Sequence, residues 1–154
     1  MIYQTASIQE SGGVSFSGEV SGFEEISREV YDSRTDLNKP LKAEFEISIG
    51  SKEYLLLGET SGNFRLTCSR CAELFNLRFR QELEETYPLS VEEIDAGEQI
   101  RQAVVLALPD KPLCRKDCKG LCPVCGVNRN ISACSCRPPA PGPFAKLKDI
   151  YKRG

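Results

Sequence analysis

The stretch "AEFEISI" (residues 43–49) alternates apolar and polar side chains without a break. Its odd-numbered positions are apolar, and glutamate or serine stands at each even-numbered position between them. Because successive side chains of a strand point to opposite faces, this pattern predicts a β-strand with one buried and one solvated face. Strands of this kind are typical of antiparallel sheets.

The same alternation continues on both sides of this stretch. "NFRLTC" (63–68) and "FNLRFR" (75–80) each place apolar residues at every second position, and "VSFSGEV" (14–20) does so less regularly. "SGN" (61–63) predicts a turn between "EYLLLGET" (53–60) and the strand that follows it. The first 90 residues or so are therefore predicted to form an antiparallel sheet.

The periodicity changes to that of a helix from about Ala96 to Leu108. Ile100, Val104 and Leu108 recur at every fourth position, and Pro109 ends the pattern. A proline-rich linker, "RPPAPGP" (137–143), leads to a short amphipathic helix whose apolar residues are Phe144, Leu147, Ile150 and Tyr151.

Together these patterns predict an α+β fold. An antiparallel β-rich body, either a sheet or a partly open barrel, is followed by a cysteine zinc module and a short helix. The predicted divisions are an acidic body over 1–110, ending in a helix, a basic cysteine-rich module over 111–137, and a linker with an amphipathic C-terminal helix over 138–154.

Charge divides along the same boundary. Residues 1–110 hold 10 Lys+Arg and 20 Asp+Glu, a net charge of −10, whereas residues 111–154 hold 10 and 2, a net charge of +8. A basic tail predicts either an anionic partner or a tail that docks on its own acidic body.

Composition predicts a soluble protein of 154 residues, with 40% apolar and 27% charged residues. No apolar run approaches the roughly 20 residues that span a bilayer. The N-terminus has neither the basic start nor the apolar stretch of a signal peptide. These features predict a cytoplasmic protein, and in a reducing compartment clustered cysteines are more often metal ligands or catalytic thiols than disulfides.

The eight cysteines fall into four closely spaced pairs. Eight is the number of cysteines that two four-cysteine metal sites require. "CPVCG" (122–126) has the form of a zinc knuckle, in which a glycine with positive φ turns the backbone toward the sulfurs. "CSC" (134–136) supplies the second half of that site. The first predicted metal set is therefore Cys122, Cys125, Cys134 and Cys136.

The remaining four cysteines form the second predicted set, namely Cys68, Cys71, Cys114 and Cys118. Such a site would join the module to the end of a predicted strand in the body. In an alternative grouping, Cys114, Cys118, Cys122 and Cys125 share one ion and the other four are free. One or two zinc ions are predicted, and an iron–sulfur cluster would accept the same ligands.

Two kinds of sulfur chemistry compete with a structural metal. "CSRC" (68–71) could exchange disulfides, with Arg70 lowering a thiol pKa, but it lies among antiparallel strands and not at a strand-to-helix turn. The same cysteines would also permit a redox switch that releases zinc. Catalysis is not predicted, because the chain has no histidine and no glycine-rich phosphate loop.

The pattern "ALP…LC…C-x-GLC-x2-CG-x-N-x-N" (107–130) resembles the YceD family, the large ribosomal RNA subunit accumulation proteins. The resemblance extends over roughly residues 60–151, and "PFAKLKDIY" (143–151) is similar to the closing segment of the family. It implies a role in large-subunit ribosomal RNA accumulation, with ribosomal RNA or a ribosomal protein as partner. The residues predicted to meet that partner are basic, namely Lys111, Arg115, Lys116, Lys119, Arg129 and Arg137.

Overall fold

In a computed structural model, which describes residues 1–23, 36–37 and 40–137, the chain is built around a five-stranded antiparallel sheet. The elements in chain order are β1 (Ile2–Gln4), α1 (Thr5–Ser11), β2 (Gly13–Val20), β3 (Asp36–Leu37), β4 (Leu41–Ile49), β5 (Glu53–Thr67), β6 (Leu74–Pro88), β7 (Glu93–Asp95) and α2 (Ala96–Ala107). The predicted antiparallel α+β fold is confirmed.

Strands β2, β4, β5 and β6 lie side by side in that order. The short β3 pairs with β5 beyond the end of β4, and β1 pairs with β7 in a separate two-stranded sheet. Among the described residues β2 pairs only with β4, and β6 only with β5. The sheet is therefore open and does not close into a barrel.

The core lies between one face of the sheet and the two helices. Phe45 and Ile47 of β4 are buried, as the alternation in 43–49 predicts. Ile8 of α1 and Ile100 and Val104 of α2 are at most 1% exposed in the same hydrophobic cluster. Helix α2 begins where the Asp95 carboxylate caps it, accepting hydrogen bonds from two backbone N–H groups of its first turn.

The predicted turn at 61–63 is wrong, because β5 runs without interruption from Glu53 to Thr67 and pairs with β6 along its whole length. Gly62 is needed there for space and not for a turn. A Cβ at this position would lie 2.6 Å from Leu41 Cδ2 and 2.9 Å from Phe79 Cε1. Gly62 therefore allows Leu41 and Phe79 to pack closely against the middle of the strand.

Five glutamates on the outer face of the sheet line one groove, and we call them the acidic face: Glu44, Glu46, Glu59, Glu82 and Glu84. Glu59 stands directly between Glu44 and Glu82 on neighbouring strands. Like charges in such cross-strand pairs destabilise a sheet. Arg80 offsets part of this repulsion, because its Nε donates a hydrogen bond to Glu59 Oε2 at 2.8 Å.

None of the helices in the described part of the chain has the length and apolar character needed to cross a membrane. The predicted C-terminal helix, and the linker from residue 138 onward, lie outside the described residues.

Candidate metal centres

The eight cysteines are free thiols gathered into two groups of four. Within each group all four Sγ atoms lie within 4.8 Å of one another. We call the group that joins two parts of the chain the bridging cluster: Cys68, Cys71, Cys114 and Cys118. The other group is the module cluster: Cys122, Cys125, Cys134 and Cys136. These are the two predicted sets, so Cys114 and Cys118 do not share a cluster with Cys122 and Cys125.

The bridging cluster takes two of its thiols from the tip of the β5–β6 hairpin. Cys68 directly follows β5, and Cys71 lies in the turn that the Ala72 N–H closes with a 2.9 Å hydrogen bond to the carbonyl oxygen of Cys68. Cys114 and Cys118 come from the segment after α2. The hairpin thus presents one pair of thiols to the other, as the sequence predicted for a site at the end of a strand.

Three hydrogen bonds join the hairpin tip to the segment that follows α2. The Ser69 N–H donates to the Pro112 carbonyl oxygen at 2.8 Å, and the Leu121 N–H donates to the Arg70 carbonyl oxygen at 2.9 Å. The Arg70 guanidinium donates to the Cys118 carbonyl oxygen at 3.1 Å. Arg70 therefore joins the module to the body, and its guanidinium contacts a backbone oxygen.

The module cluster is built on a tight local turn. The Gly126 N–H donates to the Cys122 carbonyl oxygen at 2.9 Å, and the Cys122 N–H donates to the Val127 carbonyl oxygen at 2.8 Å. Gly126 has a φ of 73°, the positive value that the knuckle pattern predicts. Cys134 and Cys136 complete the group from the chain that follows.

Two asparagines for which the sequence predicted no role support the bridging cluster. The Asn130 Nδ2 donates to Cys118 Sγ at 3.3 Å, while its Oδ1 accepts from the Lys119 N–H at 2.8 Å and from Arg115 at 2.7 Å. Asn128 accepts from the Asn130 side chain and donates to Glu73 at 3.3 Å. Such partners orient ligands in metal sites. The signal for them was the "N-x-N" that ends the 107–130 motif.

Burial and neighbouring groups give the thiols of the bridging cluster different pKa values. Burial raises the pKa of Cys68, but the backbone N–H groups of Cys114, Cys71 and Arg70 outweigh it and lower that pKa to about 6. Burial and the neighbouring thiols together raise the pKa of Cys114 to about 12. Four thiols this close ionise together only when a shared cation compensates their charge.

The thiols of the module cluster also differ in pKa. The backbone N–H groups of Cys125 and Val124 lower the pKa of Cys122 to about 6. The Cys125 thiol, and burial after it, raise the pKa of Cys136 to about 12. Backbone donors therefore favour the thiolate of Cys68 in the bridging cluster and the thiolate of Cys122 in the module cluster.

The spacing of the sulfurs fits a metal ion. Cys68 and Cys118 Sγ are 3.8 Å apart, and Cys71 and Cys114 Sγ are 3.7 Å apart. A tetrahedron with metal–sulfur bonds of about 2.3 Å has edges of about 3.8 Å between its sulfurs, whereas the bond of a disulfide is roughly 2.05 Å. Both groups of cysteines could hold a metal ion.

The predicted partner-binding residues are all exposed on the module. Among the described residues, no ion pair or side-chain hydrogen bond involves five of them, which we call the basic surface: Lys111, Lys116, Lys119, Arg129 and Arg137. Arg115 differs, because it binds Asn130 and lies 3.6 Å from Asp117. Arg115 thus contributes to the structure of the module, whereas the other five cations are exposed.

Replacing Gly120 with alanine is expected to weaken metal binding at the bridging cluster. Gly120 has a φ of 69°, and a Cβ there would lie 3.0 Å from the Arg70 carbonyl oxygen. Left-handed backbone costs about 1–2 kcal/mol for a residue with a Cβ, so metal affinity should fall about 5- to 30-fold. Competition with a chromophoric chelator measures this change.

Gly12→Ala is the matched control, since Gly12 has a φ of 77° at the end of α1 and no atom within 4 Å of the added Cβ. It should lower the stability of the body and leave metal affinity unchanged. Unaltered metal binding by Gly120→Ala would contradict a role of this contact in the bridging cluster.

The model of the family described as large ribosomal RNA subunit accumulation protein YceD matches residues 79–151. This range is shorter than the resemblance predicted from about residue 60, and it leaves Cys68 and Cys71 outside.

Curated proteins are similar over shorter stretches. The large ribosomal RNA subunit accumulation protein YCED homolog 1, chloroplastic, of Zea mays is 36% identical over 67 residues, which are 43% of this chain and 23% of that protein. The homolog of the same name in Arabidopsis thaliana is 34% identical over 67 residues, 41% of this chain and 21% of that protein.

An uncharacterized protein of Mycobacterium tuberculosis is 58% identical over 36 residues, 23% of this chain and 17% of that protein. The matches thus span less than a quarter of the length of these relatives. No solved structure matches the chain with significance. Residues 79–151, which hold six of the eight cysteines and the "N-x-N" that supports them, are thus similar to the YceD family.

Proposed function

We propose that the chain is a non-enzymatic cytoplasmic factor in the accumulation of large-subunit ribosomal RNA. Two structural zinc ions hold the module in shape, and the basic surface of the module contacts RNA or a ribonucleoprotein. The observation that carries the proposal is that five exposed cations, without an ion pair or side-chain hydrogen bond among the described residues, lie on the segment that contributes six cysteines to the two four-thiol clusters. The names of the plant relatives support the process.

Zinc is the metal that the ligands favour. Four thiolates without histidine or water suit a closed structural zinc site, which leaves no position open for catalysis. An iron–sulfur cluster would place several atoms between the thiolates, and sulfurs that all lie within 4.8 Å of one another favour a single ion. The chain's own residues supply the ligands, the backbone donors and the supporting amide of Asn130.

The charges of the chain support RNA contact by the module and not by the sheet. The acidic face lies in the middle of the sheet and would repel phosphates, whereas the basic surface lies on the cysteine-rich segment that contacts the tip of the β5–β6 hairpin. Lysine and arginine side chains that neutralise phosphates release counterions, which makes binding strong at low salt and weak at high salt. RNA is therefore expected to approach the module.

Reversing two charges of the basic surface tests the proposal. Lys116→Glu with Lys119→Glu is expected to lower affinity for large-subunit ribosomal RNA about tenfold or more and to reduce the salt slope by about 2. Titration of labelled RNA at several salt concentrations measures both. The control is Lys52→Glu with Arg78→Glu, which makes the same charge change at two exposed positions of the body.

Equal losses in the two double variants would mean that net charge alone, and not this surface, governs binding. In cells, crosslinked RNA should be enriched in large-subunit ribosomal RNA. Absence of enrichment for both ribosomal RNA and ribosomal proteins would overturn the proposed function.

A second candidate is an adaptor that binds a basic ribosomal protein without RNA contact. The acidic face favours it, because a cationic partner would reduce the repulsion between three glutamates that lie in one row across the sheet. Glu44→Gln with Glu82→Gln should then abolish co-purification of ribosomal protein and leave RNA binding unchanged. If instead RNA binding is lost in Lys116→Glu with Lys119→Glu, and the glutamate variants bind ribosomal protein as the wild type does, the result supports RNA contact.

A further inference from the structure

A small cavity of about 200 Å³ opens beside the module cluster. Its lining combines two apolar residues, Pro123 and Val124, with two cations, Arg129 and Arg137, and three cysteines of the cluster. The described residues contribute no carboxylate to it. The groove on the acidic face is lined by five glutamates. The two concave surfaces therefore differ in the charge of the ligand that they would accept.

The apolar side chains around this cavity face solvent. Val124 in the cavity lining is 58% exposed, and Leu121 and Ile131, which lie on the module outside the lining, are 41% and 76% exposed. Three exposed apolar side chains within one short module offer a contact surface that the fold of the described residues does not cover. Apolar atoms beside guanidinium planes suit the flat face of a nucleobase, which stacks on either.

The two arginines supply the charge that such a ligand needs. Within the described part of the chain neither Arg129 nor Arg137 has an ion pair or a side-chain hydrogen bond, in contrast to Arg115. Four thiolates around a divalent ion are formally dianionic. Two guanidiniums beside them offset that charge, so a phosphate is not repelled, and their forked donors match phosphate geometry.

We propose that this cavity binds a single unpaired nucleotide of RNA, with its base against Pro123 and Val124 and its phosphate on Arg129 and Arg137. The proposal rests on the proposed function, and it adds that the module distinguishes single-stranded from double-stranded RNA. The cavity is smaller than the roughly 300 Å³ at which sites for larger ligands begin. A base held inside a duplex cannot enter it, because its faces are stacked and its edges are paired.

The test compares two labelled RNAs of equal length, a single-stranded oligouridylate and a perfect duplex, with the full-length zinc-loaded chain. We expect the single strand to bind about tenfold more tightly than the duplex at equal salt. Arg129→Gln with Arg137→Gln should lower single-strand affinity about tenfold or more and remove the preference. Val124→Asp should remove the preference as well, since a carboxylate would meet the base and the phosphate.

The matched control is Lys111→Gln with Lys116→Gln, which removes the same charge from the module outside the cavity. It should weaken binding of both RNAs equally and keep their ratio. Zinc content, measured for every variant, verifies that the module is intact.

Equal affinity of the wild type for the two RNAs, or a preference that survives in the arginine variant, would overturn this inference and leave the proposed function standing. Failure of the wild type to bind either RNA would overturn this inference, and absence of both ribosomal RNA and ribosomal proteins from the crosslinked material would overturn the proposed function as well.

Discussion

Replacing Cys118 with serine is expected to lower the zinc content from two ions per chain to one and to release the module from the hairpin tip. The Cys118 thiol is 4% exposed, its sulfur lies 3.8 Å from that of Cys68, and it accepts a hydrogen bond from Asn130. Structural zinc contributes on the order of 10–16 kcal/mol to folding. Loss of a ligand should therefore lower metal affinity about a hundredfold or more, since partners outside the ligand shell alone account for 10- to 100-fold.

Metal analysis and a count of reactive thiols measure this outcome together. The wild type should hold two ions and show no reactive thiol, and Cys118→Ser should expose the three remaining thiols of the bridging cluster. Cys125→Ser is the matched control, because it removes a ligand of the module cluster and should leave the hairpin contact intact. A wild type with no metal, or with reversible disulfides between these cysteines, would contradict a structural metal and favour redox chemistry.

Replacing Gly58 with alanine is expected to unfold the body. A Cβ on Gly58 would lie 2.2 Å from the Glu44 carbonyl oxygen and 2.5 Å from the Cα of Phe45, both in the backbone of the neighbouring strand. Strands β4 and β5 could make room only by separating, which would break their hydrogen bonds. The free energy of unfolding should fall by about 4 kcal/mol or more, as for severe overpacking.

Urea unfolding followed by circular dichroism measures this loss. Gly18→Ala is the control, since the added Cβ would lie 3.3 Å from the Phe16 ring, which can move. It should cost less than about 1.5 kcal/mol. An unchanged midpoint for Gly58→Ala would mean that the two strands are not packed as closely as the structure places them.

The regular parts of the fold could be predicted from the sequence because their patterns are local. The alternation in 43–49 and the four-residue spacing of Ile100 and Val104 reappear as β4 and α2. Helix α1 and strands β1 and β7 could not be predicted, since contacts distant in sequence hold them. The Thr5 hydroxyl, for example, donates to the Val91 carbonyl oxygen at 2.9 Å.

The candidate site was predictable to a similar degree. Cysteine spacing indicated the pairs, and charge indicated the basic surface. The roles of Asn128 and Asn130 could not be predicted from the residues, because asparagine in a loop is most often a turn former and its partners depend on the fold. Arg70 shows the same limit, since its guanidinium contacts a carbonyl oxygen brought from 48 residues away.

The bridging cluster also sets an order on folding. The module cluster spans residues 122–136 and can form by closing short loops, whereas the bridging cluster joins Cys71 to Cys114 across the whole of β6, β7 and α2. Long-range closure of this kind is slow and follows strand pairing. A metal ion at the bridging cluster could therefore bind only after the β5–β6 hairpin is built, so its binding would mark a completed body. In a chain that has not finished folding, the module cluster could already hold a metal ion while the bridging cluster is still open. The basic surface would then not yet be fixed to the body.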